Sequence, residues 1–268
     1  FSQSKLMVLL YKKATNFATK HIKQTCFYVQ LFAIFVLYEI LIMSFTAIQL
    51  LLIFVPLALS LYAQYKVSST IKRYSQTPNE KGITGMDVAR MILDRENLHK
   101  VDIIKVPGKL SDHYNPAKLQ LGLSQEIAEG TSVSALAVAA HETGHAIQHR
   151  DAYAFLGMRS ALYPAVSLTS NLGPILIFIS IIMQLSGLLK IGIAFFSISV
   201  LFTIITLPVE FDASKRAVIV LNKLGLSSPQ ESVIVKKVLS AAALTYVAAA
   251  LAAIAELVRL ILIARSND

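Results

Sequence analysis

The sequence predicts a mainly α, integral membrane protein: about four to five transmembrane helices carrying one small α+β region. Three observations lead there. Hydrophobic residues make up 55% of the 268 residues and charged residues only 15%, against about 25% charged in soluble domains; mean hydropathy is +0.60. The apolar residues gather in runs of about 20, the length that crosses a hydrocarbon core. Between those runs lies one long polar stretch with local strand-like alternation.

The elements follow in order. Residues 1–25 hold Lys5, Lys12, Lys13, Lys20 and Lys23, a basic flank or a weak amphipathic helix on a membrane surface. Phe27 to Tyr65 is almost entirely apolar, broken by Gln30, Glu39, Gln49 and Gln64, and too long for one ordinary span. Two spans meeting near Met43-Ser44, or one long helix leaving the bilayer, would account for it. Glu39 reads as a helix-end residue rather than a buried functional carboxylate. A polar region runs from Lys66 to about Asn171. In it, Thr84-Gly85-Met86-Asp87 opens an amphipathic helix, Val101 to Val106 reads as a strand, and Asp112-His113-Tyr114-Asn115-Pro116 as a turn. Leu119 to Leu123 is a second strand. Further spans are expected at about 172–189, 191–209 and 241–263, after a first at about 45–65. The middle two would form a tight hairpin about Lys190. Glu256 and Arg259 interrupt the last span at a spacing that pairs them on one helix face, an anchoring or bundle-facing pair rather than a transport site.

The formal net charge of +9 does not point to nucleic acid, because no basic–aromatic platform accompanies it. The basic residues lie beside apolar runs, where they set topology and face anionic lipid headgroups. Cys26 is the only cysteine, which excludes an intrachain disulfide and a cysteine-based zinc site.

The chemistry concentrates at His141-Glu142-Thr143-Gly144-His145, an HExxH motif. Residues four apart stack one turn above each other, so His141 and His145 aim both imidazoles at one point. Glu142 lies beside the first ligand, placed to take a proton from a zinc-activated water. Ser132 or Ser134 caps a helix that runs from Val133 to Gln148. Strand hairpin and HExxH helix together would make a small zincin-like catalytic region, 66–171 plus 210–238. A catalytic zinc needs a third protein ligand. His149 lies eight residues beyond His141, about 12 Å along a helix, and is read as a polar residue on the exposed face. Glu210 and Asp212 are better placed, just past the apolar run that Pro208 bounds. Two spans separate His145 from Glu210, so the chain returns to the side it left. Glu210 is expected as the ligand, with Asp212 orienting a ligating His or serving as the alternative ligand.

These stretches resemble a known family, the YugP-type neutral zinc metallopeptidases of bacterial membranes. The resemblance rests on Arg73 to Gln76, Ser111 to Pro116, Ser134 to Gln148, Ser160-Ala161-Leu162, Leu207 to Ser214 and Ala241 to Ala250, and covers about residues 45–265. It implies His141, His145 and Glu142 as the zinc-and-base core; Glu210 remains an inference from topology. Members of that family begin shortly before a single span like Gln49 to Tyr65. Residues 1–42 are therefore expected to be an extension, with Met43 the natural start and 43–268 the membrane peptidase domain.

The expected function is that of a multi-pass endopeptidase of a bacterial-type cell membrane, with one Zn2+ per chain on His141, His145 and Glu210 and Glu142 as general base. Its substrate would be a peptide or protein, itself membrane-associated in one version. Leu119 to Leu123 is a candidate edge strand for an extended substrate. His113 or Tyr114 would stabilise the oxyanion. Lys66, Lys72, Arg73, Lys215 and Arg216 flank one side of the spans and place the site on the cytoplasmic face; Arg265 counts against it. A zinc-binding scaffold without hydrolysis is the rival reading, opposed by the intact Glu142. A metal transporter is the third, opposed by the position of the His residues outside the spans.

Overall fold

The structure, a computed structural model, describes Val36 and residues 46–266. The expectations for residues 1–42, Cys26 and Glu39 among them, and for a start at Met43 lie outside the described residues, Val36 apart. The chain divides into two compact units, residues 1–51 and 52–268; Val36 and 46–51, the described part of the first, are helical.

Among the described residues, four helices are long and apolar enough to cross a membrane: α1 (Thr46–Tyr74), α5 (Ala154–Met183), α6 (Ser186–Lys223) and α7 (Pro229–Ser266). At 1.5 Å per residue the two longest reach about 57 Å, well beyond a hydrocarbon core of about 30 Å. Each therefore carries an apolar portion and a polar extension. Phe54, Leu61, Leu168, Phe178, Ile182 and Ile191 stand exposed on α1, α5 and α6, a surface suited to lipid rather than water.

The polar part is built around α4 (Val133–Arg150), the helix that carries HETGH. The Ser132 hydroxyl accepts from Ala135 N–H at 3.1 Å and starts it. Most of α4 is buried, and its alanines let neighbours approach on every side. Leu136, Ala137 and Ala140 meet Val88 and Ile92 of α2 (Gly85–Arg95), Leu221 of α6 and Val235 of α7. Ala135, Ala139 and Ala146 meet Leu121 and Leu123 of a small sheet. α2 opens at Thr84 as expected, and the structure adds that Thr84 and Asp87 form a capping box there. A one-turn helix, α3 (Gln125–Glu129), joins the sheet to α4.

The sheet has strands β1 (Asp102–Val106), β2 (His113–Asn115) and β3 (Gln120–Ser124) in the order β1-β3-β2, β1 parallel and β2 antiparallel to β3. This corrects two expectations. Residues 113–115, read as part of a turn, are a strand, because Asn115 and Tyr114 pair with Gln120 and Leu121. Residues 119–123, read as an edge strand, mostly fall in β3, the central one, whose two edges are both occupied.

The helices bring further corrections. The α5–α6 turn lies at Gln184-Leu185, where Gln184 takes a left-handed conformation (φ 53°); Lys190 sits inside α6. Gln184 and the Ser186-Gly187 pair mark the turn more strongly than the lone charge of Lys190 does. Pro208 does not end a helix. It lies within α6, and Glu210 and Asp212 project from the same continuous rod. Glu256 and Arg259 pair as expected, at 2.5 and 2.7 Å.

Candidate metal centre

Three side chains converge where α4 crosses α6. His141 Nε2 lies 3.1 Å and His145 Nε2 3.5 Å from the same carboxylate oxygen, Glu210 Oε2. One ligand atom from each of the three lies within 4.8 Å of the others. The imidazoles meet nearly edge to face, centroids 4.8 Å apart. Ligand atoms 2.0–2.1 Å from a tetrahedral zinc sit about 3.4 Å apart, so both measured separations suit one shared ion. Two imidazole nitrogens and a carboxylate oxygen are also the donor chemistry that a catalytic zinc takes. Glu210 is only 3% exposed, and a carboxylate so deep needs cationic company.

Glycine makes the crossing possible. A Cβ on Gly144 would stand 2.6 Å from the carbonyl oxygen of Ala213 and 3.2 Å from its carbonyl carbon and Cα. Gly144 therefore lets α6 lie directly against the motif helix, one turn from Glu210.

The other nitrogen of each ring is also engaged. Ser214 Oγ lies 3.2 Å from His141 Nδ1. Gln148 Oε1 lies 3.0 Å from His145 Nδ1. Gln148 Nε2 donates to the carbonyl of Val209 at 2.8 Å and to Asp212 Oδ2 at 2.9 Å. Those two acceptors fix which end of the amide carries hydrogens, so Oε1 must face His145. The Nδ1 of His145 is then the protonated one, and the lone pair at Nε2 is free for a metal.

Asp212 thus reaches the site through Gln148 rather than touching a ligating His, and it contributes no ligand atom to the cluster. Its other neighbours form an ion-pair chain to the surface. Asp212 accepts from Arg216 at 2.5 Å, Arg216 donates to Asp151 at 2.5 Å, Arg150 to Asp151 at 2.8 Å, and Arg150 to Glu96 at 2.7 Å.

Glu142 faces a cavity of about 680 Å³ that His145 and Glu210 also line, together with His113, Tyr114 and Arg159. Burial pushes its carboxyl above the usual range, against the pull of His141 and His145. Burial alone would lower the pKa of His145; hydrogen bonding and charge from Glu210 outweigh it and leave it raised. Tyr114 is held by its hydroxyl 2.9 Å from His149 Nδ1, and His149 is exposed, as expected. His113 Nδ1 lies 2.8 Å from the carbonyl of Ser111.

Sequence reasoning passed over Arg159, whose guanidinium donates to Glu210 Oε1 at 3.1 Å, and Tyr246, which lines the cavity from α7. It also passed over Gln148 and Ser214. Those two had a local signal: Gln148 is one helical turn past His145, and Ser214 one turn past Glu210. Arg159 and Tyr246 had none, since only the packing of α5 and α7 brings them in.

Residues 48–265 match the model of a family described as "Putative neutral zinc metallopeptidase". The chain is also similar to a Bacillus subtilis (strain 168) protein named "Putative membrane protease YugP", with 44% identity over 207 residues, 77% of this chain and 92% of the relative. No solved structure matches. The resemblance first carried by HETGH and its flanks extends over most of the sequence, and the chain belongs to the neutral zinc metallopeptidase family.

Proposed function

We propose that this protein is a zinc-dependent endopeptidase of the membrane, with one zinc per chain held by His141, His145 and Glu210. The observation that carries the reading is the buried Glu142 carboxyl beside that three-ligand cluster, at the wall of a cavity large enough for a peptide segment. When bound, zinc supplies Lewis acidity toward a carbonyl and lowers the pKa of a water to about 7. Glu142 takes the proton of the attacking water and passes it to the leaving amine. Arg159 holds Glu210 Oε1, which leaves Oε2 as the oxygen facing both imidazoles. His113, Tyr114 and Tyr246 are the donors in reach of a carbonyl oxygen as it gains charge. Substrate backbone would add along β2, the edge strand of the sheet that lines this cavity, rather than along β3.

On this reading the protein is multi-pass. Lys66, Lys72 and Arg73 after the apolar part of α1, with Lys215 and Arg216 after that of α6, support a site on the cytoplasmic face, where peptides of or near the membrane would reach it. The test compares wild type with Glu142→Gln, measuring bound zinc and cleavage of soluble and membrane-embedded peptides. Retained zinc with lost cleavage is the expected result. A wild-type protein that binds zinc and cleaves nothing would favour the zinc-holding scaffold instead.

A further inference from the structure

A second cleft, sharing no lining residue with the first, lies between α1 and α7. Its volume is about 920 Å³. Lys66 and Arg73 enter it from α1 and Lys236 and Lys237 from α7; Ser69 and Thr70 add hydroxyls, and no acidic side chain lines it. None of the four cations forms an ion pair among the described residues. This sets the cleft apart from the groove at Glu96, Asp151 and Asp212, where carboxylates neutralise the arginines. Four like charges on two packed helices repel one another, at a cost that an anionic occupant would remove.

The height of the cleft identifies the occupant. Residues 46–65 contain no charged side chain, and 20 residues of helix measure about 30 Å, the thickness of a hydrocarbon core. Lys66 is the first cation beyond it. In α7, Lys236 and Lys237 immediately precede residues 238–255, an uncharged stretch of about 27 Å. Lys66, Lys236 and Lys237 thus sit at one headgroup level, and Arg73, seven residues past Lys66 on α1, stands about 10 Å further toward the water. Tyr62 and Tyr65, 53% and 70% exposed, stand at the boundary where aromatic side chains favour the interface. Below them Ala241 and Leu244 continue the cleft as an apolar wall.

We propose that this cleft binds the phosphate headgroup of an anionic phospholipid from the same leaflet, its acyl chains running along Tyr62, Ala241 and Leu244. The proposal rests on α1 and α7 crossing the bilayer and not on any hydrolytic step. A lipid so bound clasps α1 to α7, the helix that also carries Tyr246 to the catalytic cavity.

The test uses the full-length protein in phosphatidylcholine nanodiscs doped with fluorescent phosphatidylglycerol. Retention of the label is measured for wild type, Lys66→Gln, Lys236→Gln and Lys72→Gln. Lys72 lies on α1 with the same charge but outside the cleft lining. Each cleft variant should weaken retention about five-fold, Lys72→Gln should leave it unchanged, and all four should melt alike. An equal loss in Lys72→Gln would mean diffuse leaflet electrostatics and overturn the proposal. So would displacement of the label by inorganic phosphate at matched concentration, or equal retention of fluorescent phosphatidylcholine.

Discussion

Gly144→Ala separates the stability of the fold from the assembly of the metal centre. A Cβ at 144 would lie 2.6 Å from the Ala213 carbonyl oxygen, and ordinary contact begins near 3.4 Å. Backbone against backbone offers no flexible side chain to turn aside, so α6 must withdraw by roughly 0.8 Å, the difference of those two distances. Glu210 rides on α6 one turn away. Metal–ligand bonds tolerate about ±0.2 Å, so the carboxylate leaves bonding range of an ion held by both imidazoles. The fold itself suffers less. Overpacking costs about 1–3 kcal/mol, and alanine recovers about 1 kcal/mol of helix propensity over glycine. The expected result is a zinc affinity lowered about 10–100-fold, the scale on which disturbed ligand support acts, with a melting temperature in excess chelator within a few degrees of wild type. Zinc competition against a chromophoric chelator reads the first and a thermal melt of the stripped protein the second. Wild-type zinc affinity in Gly144→Ala would refute the reasoning.

Other outcomes follow from the same contacts. Gln148→Leu removes the acceptor at His145 Nδ1 and frees the ring, so zinc affinity should fall about 10–100-fold while circular dichroism stays unchanged; equal affinity in the chelator competition would show that the amide does not orient the ring. Arg159→Gln releases Glu210 Oε1 and should let the carboxylate turn to chelate through both oxygens. X-ray absorption of the zinc-loaded variant would then show one more oxygen neighbour than wild type, and an identical spectrum would count against the role. Arg150 beside Glu96 holds that carboxyl below its ordinary value of 4.5. A depressed folded-state pKa contributes stability that is present above about pH 4.5 and lost as the pH falls through the depressed value. Glu96→Gln should therefore lower the melting temperature at pH 7, by a margin that narrows as the pH falls below 4.5; a gap that does not narrow in acid would contradict this.

What could be read from sequence was what repeats at short range or follows from counting. His141 and His145 are one helical turn apart, so their convergence needs only the helix period. Glu210 came from counting membrane crossings, which the apolar runs make visible. The amphipathic helix opening at Thr84 was equally local. The misreadings have physical causes too. Asp112 to Pro116 has turn composition, yet three of its residues pair with β3, and a strand that short leaves no alternation to detect. Leu119 to Leu123 alternates Leu with Gln and Gly, the pattern of a half-exposed strand, yet β3 is buried nearly throughout, since Gly122 has no side chain to expose and His113 of β2 lies over it. Pro208 looked like a boundary because proline interrupts hydrogen bonding, but α6 absorbs it. Arg159 and Tyr246 were beyond reach, since their place depends on how α5 and α7 pack.

The base and two imidazoles arrive together on a single turn of α4, but the carboxylate comes from a residue 69 positions after His141. Between them lies the whole α5–α6 hairpin. A chain emerging from the ribosome thus holds most of the centre long before it holds all of it. Until the hairpin has closed against α4, the two histidines have no carboxylate partner and Glu142 no finished metal pocket beside it. Maturation is in this way written into the order of the chain: the three ligands come together only when α6 packs against α4, and α7 with Tyr246 follows later still.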